Sequence, residues 1–238
     1  MMDILEVSEL NAGYGEARVL SGIGFALRQG EVLGVLGRNG VGKSTLVNSL
    51  LNLGPVVSGN IIVKGQRVTG WPTHRIVRQG IGIVPQGRGI FGNLSVHENL
   101  CLAVLGAGRP LPGGWTLERV YEAFPKLSQR RSTLAGALSG GERQLTAMAR
   151  ALLTQADILI FDEPTEGLAP LIVEEVIVNN ICTLKREGVT VVLVEQNLAL
   201  ALDLADEAIV LADGRIVFCG SSETLRQRED IQNEYLGV

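Results

Sequence analysis

The sequence has little of the residue types that build metal and redox sites. Of its 238 residues, three are cysteine and two are histidine. Cys101, Cys182 and Cys219 are widely spaced and form no C-x-x-C pair, which argues against a disulfide framework and a zinc site. We expect all three to be ordinary thiols of the hydrophobic core. His74 and His97 fall in helical, solvated stretches, and we expect neither to bind a metal.

Long apolar runs and basic clusters are also missing. Apolar runs such as residues 158–161 (ILIF) have the length of a strand, far below the roughly 20 residues that span a bilayer. The first ten residues have no basic start and favour a strand. We therefore expect no signal peptide, and a cytosolic chain unless a partner brings it to a membrane. With a net charge of −4 and no run of Lys or Arg, we expect no nucleic-acid partner.

What the sequence does contain is an alternation of strand and helix patterns. Hydrophobic residues make up 46% of the chain, which supports a sizeable core at this length. Apolar, β-branched segments predict strands at residues 3–8, 31–36, 61–64, 81–84, 157–161, 190–194, 207–211 and 215–218. The segments 157–161 and 190–194 are apolar on both faces, as central strands of a parallel sheet are. An α/β fold is therefore predicted.

Residues 90–155 differ from the rest of the chain. They contain few β-branched runs but two capping-box helix starts, 95–98 (SVHE) and 139–142 (SGGE). A loop rich in Gly and Pro at 106–114 separates two helical pieces. We predict a helical subdomain here, within a single domain that covers residues 1–238. The catalytic core with its β subdomain is then divided between the flanking segments, 1–89 and 156–238.

Shorter patterns predict local features. Two apolar stripes at helical spacing predict core faces, one formed by Leu46, Val47, Leu50 and Leu51 and the other by Leu145, Met148, Ala149, Leu152 and Leu153. Asp213 and Gly214 stand between two apolar runs and predict a two-residue hairpin turn. The last residues, 225–238, predict a charged and partly helical tail.

A phosphate-binding motif occupies residues 37–45 (GRNGVGKST). It matches G-x-x-x-x-G-K-[ST] and lies between an apolar strand and an amphipathic helix, the context that the motif requires. Glycines let backbone N–H groups surround phosphate oxygens, Lys43 neutralises the β- and γ-phosphates, and the Ser44 hydroxyl can coordinate Mg²⁺. The residues that we assign to nucleotide binding here are Gly37, Asn39, Gly40, Gly42, Lys43, Ser44 and Thr45.

Two carboxylates follow an apolar strand in residues 158–164 (ILIFDEP). We assign Asp162 to the metal, which it can hold through the hydration shell. Glu163 then faces the γ-phosphate and can polarise a water for in-line attack, which makes it the candidate general base. An Asp-Glu pair at a strand end is by itself often a solvated turn, but the phosphate loop in the same chain favours the catalytic interpretation.

The segment 138–142 (LSGGE) is a third motif, in addition to the phosphate loop and the two carboxylates. A Ser and two Gly at a helix start leave bare N–H groups, which form an anion site. In order and spacing, the phosphate loop, this segment and the carboxylates resemble the nucleotide-binding subunit of an ATP-binding cassette (ABC) transporter over nearly the whole chain. The resemblance implies a P-loop NTPase core of RecA type with an antiparallel β subdomain and an inserted helical subdomain.

The same resemblance implies a dimer with shared sites. Ser139, Gly140 and Gly141 would close over the γ-phosphate of ATP bound by a second subunit, so that two subunits packed head to tail enclose two ATP molecules. A capped helix start alone explains the local pattern but leaves the paired glycines unexplained. Two copies of this chain, or this chain with a sister subunit, both remain possible partners in that dimer.

Further residues match family positions one by one. Tyr14 resembles the aromatic residue that stacks on adenine, although a Tyr in a turn is also a common packing residue. Gln86 resembles the glutamine of the Q-loop, which ends a strand near Mg²⁺, senses the γ-phosphate and leads into the helical insert.

Two departures from the family pattern concern hydrolysis. The position after the strand that follows the carboxylates usually holds a His, and here Gln196 takes its place. An amide donates a hydrogen bond to phosphate but carries no positive charge. Ala169 stands where an acidic residue is common. Both changes put the hydrolysis rate in doubt and leave a nucleotide-gated clamp with little turnover as an alternative.

Three segments narrow the resemblance to one group of ABC transporter subunits. They are residues 84–91 (VPQGRGIF), 165–170 (TEGLAP) and 194–197 (VEQN). They look like ATP-binding subunits of importers for branched-chain amino acids and their relatives for urea or short amides. A soluble ABC ATPase is a rival, but repair types need a long coiled-coil insertion and translation types need two cassettes in one chain.

An importer subunit of this type has implied partners. It would lie at the cytoplasmic face of the bacterial inner membrane as a peripheral protein, bound to membrane permease subunits and a second ATPase subunit, and served indirectly by a periplasmic solute-binding protein. We expect a short permease helix to dock around residues 88–100. Phe91 and Leu94 are candidate contacts, and internal packing of the helical insert is the alternative role for both.

Overall fold

The structure is a computed structural model of the chain, and it describes residues 3–87, 89–107 and 114–237. Within these residues, ten strands form two sheets. The strands are β1 (Asp3–Tyr14), β2 (Ala17–Arg28), β3 (Val32–Leu36), β4 (Val56–Val63), β5 (Gln66–Arg67), β6 (Ile81–Val84), β7 (Ile158–Asp162), β8 (Thr190–Glu195), β9 (Glu207–Ala212) and β10 (Arg215–Ser221).

The helices pack around these two sheets. They are α1 (Lys43–Leu50), α2 (Thr73–Arg78), α3 (Val96–Ala107), α4 (Leu117–Ala123), α5 (Pro125–Gln129), α6 (Gly140–Leu153), α7 (Pro170–Ile172), α8 (Asn179–Arg186), α9 (Leu198–Leu204), α10 (Ser222–Arg226) and α11 (Glu229–Ile231). A π-helical segment, Val173–Val178, joins α7 to α8. In the described part of the chain no helix is long and apolar enough to cross a membrane.

The larger sheet has the order β10-β9-β3-β8-β7-β6. All neighbours are parallel except the β9–β10 hairpin. Every residue of β3, β7 and β8 is buried, which confirms the prediction of central strands. Since parallel strands end at one edge, the loops after β3, β6, β7 and β8 meet there, and this edge is where α/β sheets bind ligands.

The smaller sheet is antiparallel, with the order β2-β1-β4-β5, as the family resemblance implies. The sequence prediction missed β2 and ended β1 six residues early. Leu20, Ile23, Phe25 and Leu27 of β2 are buried, but a register shift opposite Leu10 and Ala12 breaks their alternation. A bulge of this kind interrupts the period of two on which strand prediction depends, although the alternation from Ile23 to Leu27 is a strand signal that the sequence prediction overlooked.

The core lies on both faces of the parallel sheet. In β7, Ile158 and Ile160 pack with α1 and the antiparallel sheet, whereas Leu159 and Phe161 pack with α6 and α8 on the other face. Both predicted helical stripes are buried. The α/β class with a P-loop NTPase core is therefore confirmed.

The chain between β6 and β7 is helical, as predicted, and contains α3 to α6. Ser95 and Glu98 form a capping box at α3, and Ser139 and Glu142 form one at α6. Of the predicted loop at 106–114, residues 108–113 lie outside the described residues. The subdomain boundaries at residues 90 and 155 stay a prediction, since α6 packs into the same core as the parallel sheet.

The prediction that all three cysteines lie in the core is wrong. Cys101 is half-buried, and Cys182 and Cys219 are exposed; all three are free thiols. Cys182 lies between the buried Ile181 and Leu184 on α8 but on the solvent side of the helix, and Cys219 lies on β10 at the edge of the sheet. Composition alone does not indicate which face of an amphipathic element a residue occupies.

The two histidines differ in exposure. His74 is exposed, as predicted, but His97 is only partly exposed because its ring stacks on Tyr121 and Nδ1 lies 3.0 Å from the phenol oxygen. The prediction of a solvated His97 is therefore wrong.

The chain end is built from two predicted features. Ala212 pairs with Arg215 across the Asp213-Gly214 turn, which confirms the predicted hairpin. The tail is partly helical, and Tyr235 and Leu236 pack against a small cluster of α9, α10 and β9 residues.

Candidate active site

The phosphate loop leaves the carboxyl end of β3 and enters α1. Gly37, Gly40 and Gly42 have φ angles of 155°, 81° and 110°, conformations that are open to glycine. A Cβ at Gly42 would lie 2.7 Å from the Leu20 side chain on β2. The loop is therefore curved and closely packed, and it leads into the first turn of α1, whose N–H groups have no partner within the helix.

Lys43 folds back over this loop. Its side chain is 4% exposed, and its ammonium donates hydrogen bonds to the carbonyls of Gly37, at 2.8 Å, and Arg38, at 3.1 Å. It also forms an ion pair of 3.2 Å with Glu163 Oε1. The structure thus brings together the predicted phosphate-binding lysine and the predicted general base.

Asp162 ends β7 on the same edge of the sheet. It is 8% exposed, and its Oδ1 is buried without a hydrogen-bond partner. Burial, followed by the charge of Glu163, raises the pKa of this carboxyl above its ordinary value. A buried carboxylate oxygen without a partner fits a divalent cation, which would supply the missing positive charge.

Glu163 has a left-handed backbone, with φ 48°, and its N–H donates to the Val194 carbonyl at 3.0 Å. A left-handed non-glycine residue costs free energy, and such strain is concentrated at functional sites. The second carboxylate oxygen, Oε2, accepts from Gln86 Nε2 at 3.4 Å. Gln86 also donates to Glu166 Oε2 at 2.9 Å, so the predicted Q-loop residue contacts the loop after β7.

Gln196 follows β8 and is exposed. It lines a cavity of about 210 Å³ together with Glu163, Thr165, Glu166, Glu195 and Asn197. Gln196, which stands where the family usually has a histidine, therefore lines the same cavity as the candidate base.

The remaining predicted residues lie at the edges of this site or away from it. Tyr14 ends β1 and is 44% exposed, with its ring open to a stacking partner. Ser44 and Asn39 are exposed, whereas Thr45 is buried in the first turn of α1. Ala169 caps the start of α7, directly before Pro170.

The Ser139 segment is not part of the same cluster. Ser139 is exposed and caps α6 through Glu142, while a Cβ at Gly141 would lie 2.7 Å from Ile172. In the part of the chain that the structure describes, no hydrogen bond or ion pair joins Ser139, Gly140 or Gly141 to the phosphate loop. The predicted anion site at this helix start is therefore not joined to the nucleotide residues by any contact of these kinds in the described chain.

Sequence reasoning missed two contributors to the site. Glu195 is buried and accepts from the Thr165 and Gln196 backbones. The Asp213-Gly214 turn braces the phosphate loop, because the Gly214 N–H donates to the Val41 carbonyl and its own carbonyl accepts from Ser21. Glu195 belongs to the segment 194–197 that carries the family resemblance, but neither that motif nor its place at the end of an apolar strand indicated its contacts, and the turn had no signal for its contact with the phosphate loop.

Comparison with known proteins shows to which family this chain is similar. The model of the ABC transporter family matches residues 20–166. The chain is 38% identical to the high-affinity branched-chain amino acid transport ATP-binding protein BraG of Pseudomonas aeruginosa, over 98% of this chain and 100% of that protein. It is 36% identical to the probable branched-chain amino acid transport ATP-binding protein LivF of Archaeoglobus fulgidus, over 99% of both.

An export protein and two solved structures are also similar. The lipopolysaccharide export system ATP-binding protein LptB of Haemophilus influenzae is 32% identical over 99% of this chain and 98% of its own length. A nucleotide-free ATP-binding cassette from an ABC transporter has a TM-score of 0.83 at 26% identity, covering 96% of each chain. A cassette in its ADP conformation has a TM-score of 0.82 at 27% identity, covering 96% and 94%. This chain belongs to the ATP-binding proteins of the ABC transporter family.

Proposed function

We propose that this protein is the ATP-hydrolysing subunit of an ABC importer for branched-chain amino acids. The observation that carries the proposal is the convergence of Lys43, Glu163 and Gln86 at the carboxyl edge of the sheet. The named functions of the relatives at 38% and 36% identity support the choice of solute. The export relative is less similar, at 32%.

Hydrolysis is carried out by residues on four neighbouring loops. N–H groups of the phosphate loop and the Lys43 ammonium hold the triphosphate. Glu163 accepts a proton from the attacking water, and Gln196 donates a hydrogen bond to the γ-phosphate without adding a charge. Asp162, Ser44 and Gln86 would hold Mg²⁺, which neutralises charge on the phosphates when bound.

The ion pair between Lys43 and Glu163 gives the site a resting arrangement. Binding of a triphosphate offers the ammonium a more highly charged partner and releases the Glu163 carboxylate. Proton abstraction is thus coupled to substrate binding, because the base is free only when the lysine has moved to phosphate.

The Ser139 segment needs a second molecule. Since no hydrogen bond or ion pair joins this segment to the phosphate loop in the described part of the chain, we propose that Ser139, Gly140 and Gly141 cover the nucleotide of a partner ATPase subunit packed head to tail. The partner is a second copy of this chain or a related subunit.

Membrane association requires a docking surface for the permease. A cavity of about 580 Å³ opens between α2, β6, α3 and α6, beside the predicted segment 88–100. Leu102 at its rim is 41% exposed and Phe91 nearby is 48% exposed. Arg150 lies 5.0 Å from the Phe91 ring, so this aromatic residue also packs internally. We propose that a short permease helix docks here and holds the protein at the cytoplasmic face of the inner membrane, where a periplasmic solute-binding protein supplies the permease.

The substitution Glu163→Gln tests the assignment of the base. It removes the proton acceptor and keeps the side-chain shape, so turnover should fall by about 10²- to 10⁴-fold. ATP binding should stay intact or tighten because Lys43 loses its competing carboxylate. Phosphate release and equilibrium binding of Mg-ATP measure the two effects.

A matched control lies at the other end of β7. Asp157 is also paired with a lysine, Lys64, in an exposed ion pair, so Asp157→Asn removes a carboxylate–lysine pair away from the site and should leave basal turnover unchanged. Wild-type turnover in the Glu163→Gln variant would contradict the proposal. No phosphate release by the wild type, with or without permease, would favour the nucleotide-gated clamp.

A further inference from the structure

A buried carboxylate joins two loops of the active site. Glu195 is the last residue of β8 and is 2% exposed. Its Oε1 accepts from the Thr165 N–H at 3.3 Å and its Oε2 accepts from the Gln196 N–H at 3.2 Å. One side chain therefore spans the loop after β7 and the loop after β8.

Each of these loops carries a residue of the proposed chemistry. Glu163 lies two residues before Thr165, and its own N–H is fixed to Val194, the neighbour of Glu195. Gln196 lies directly after Glu195, and its N–H is one of the donors to the carboxylate. The candidate base and the candidate γ-phosphate contact are thus held by adjacent residues of one strand.

The chemistry of Gln196 increases the need for such a support. A neutral amide is attracted to phosphate less strongly than an imidazolium, and its flexible side chain loses rotamer freedom when it is ordered. Its position therefore depends on how well its backbone is fixed.

The buried carboxylate of Glu195 lowers the stability of the folded protein. Burial raises the pKa of Glu195 above its ordinary value, and the hydrogen bonds from Thr165, Asn197 and Gln196 oppose the rise. A buried ionisable group costs free energy that an apolar residue would not. Residues that break this local rule are concentrated at functional sites.

We propose that Glu195 is a positioning residue for hydrolysis, which fixes the Glu163 loop and Gln196 relative to each other. The proposed role requires no contact of Glu195 with ATP or the attacking water, because the side chain acts through the backbone of Thr165 and Gln196. The inference rests on the roles proposed above for Glu163 and Gln196.

The substitution Glu195→Gln tests the role with little change in size. It replaces one carboxylate oxygen by an N–H donor, so one of the two backbone N–H groups loses its acceptor. We expect kcat to fall about 10- to 100-fold, with the Kd for Mg-ATP within about twofold of wild type because the phosphate loop is untouched. If the amide variant does not fold, Glu195→Asp shortens the carboxylate by one methylene and should show the same split.

Asp206→Asn is the matched control. Asp206 Oδ2 accepts from the Val32 N–H at 2.9 Å and so joins two elements in the same way, but at the amino end of β3, far from the phosphate loop. This variant should lower Tm and leave kcat per folded molecule unchanged.

A double-mutant cycle with Gln196→Ala separates positioning from a merely structural role. If Glu195 positions Gln196, then Gln196→Ala should lower kcat by less than about a further twofold in the Glu195→Gln background. The inference is overturned if Gln196→Ala lowers kcat by the same factor in wild type and in Glu195→Gln. It is also overturned if Glu195→Gln alone has the kcat of wild type. Failure of the proposed function gives a different result, since Glu163→Gln would then hydrolyse ATP normally.

Discussion

At the scale of single residues, Asp162 shows a conflict between stability and function. Its carboxylate is buried, one oxygen has no hydrogen-bond partner, and its pKa is raised by burial. Such a group destabilises the protein in the absence of a cation, and residues of this kind are common where function requires them.

Asp162→Asn should therefore stabilise the nucleotide-free protein. We expect a gain of about 1 kcal/mol, equivalent to about 2–4 °C in Tm for a chain of this length, when unfolding is measured in EDTA. The gain in Tm that Mg-ATP gives to wild type should be largely lost. A lower Tm than wild type in EDTA would contradict the cost assigned to the buried carboxylate.

The residues of the phosphate loop and the two carboxylates were predictable because spacing along the chain defines them. Lys43 and Glu163 were assigned from two separate motifs, and the structure pairs them. The contacts of Glu195 and Glu166 were not predictable, since they join side chains to a loop that only folding brings close. A motif describes neighbours in sequence, and these contacts are between neighbours in space.

At the scale of elements, the Asp213-Gly214 turn was predicted as a hairpin, but its contact with the phosphate loop was not. Gly214 has φ 70°, and a Cβ there would lie 1.9 Å from the Val19 carbonyl oxygen. The turn itself depends on two residues, whereas its contact with the phosphate loop depends on hydrogen bonds with Ser21 and Val41, which lie far away in the sequence. Strand β2 was also missed in the sequence, and its pairing with β1 includes bulges that depend on contacts between the two strands.

Gly214→Ala should displace the turn and with it the loop. The new methyl group clashes with backbone, so we expect Tm to fall and the KM for ATP to rise several-fold, as the carbonyl of Val41 loses its donor. Gly65 offers the control, since it ends an equivalent turn with φ 73° and open space around a Cβ. Gly65→Ala should cost only about 1 kcal/mol of strain and leave KM unchanged. Equal KM values for the two variants would exclude the bracing role.

At the scale of the whole molecule, the separation of the phosphate loop from the Ser139 segment bears on how subunits assemble. The phosphate loop and the Ser139 segment both favour anions, yet no contact joins them within the described chain. Sequence alone indicates two anion sites. The structure adds that no hydrogen bond or ion pair joins the second one to the phosphate loop in the described chain, which supports the proposal of a second subunit.

Two capping boxes in one chain allow this argument to be tested. Ser95 and Ser139 cap α3 and α6 in the same way, so Ser95→Ala and Ser139→Ala should each cost about 1 kcal/mol of stability. Only Ser139 is proposed to reach the partner's nucleotide.

In the Glu163→Gln background, where the closed state should persist, Ser139→Ala should weaken the ATP-dependent dimer by about 10- to 100-fold, the loss of one hydrogen bond to a charged group. Ser95→Ala should leave it unchanged. Sedimentation with and without Mg-ATP measures the dimer, for this chain alone and mixed with any sister subunit that purifies with it. Equal dimerisation of the two serine variants would place the nucleotide within one subunit, because a cap that contributes only to its own helix affects folding and not association.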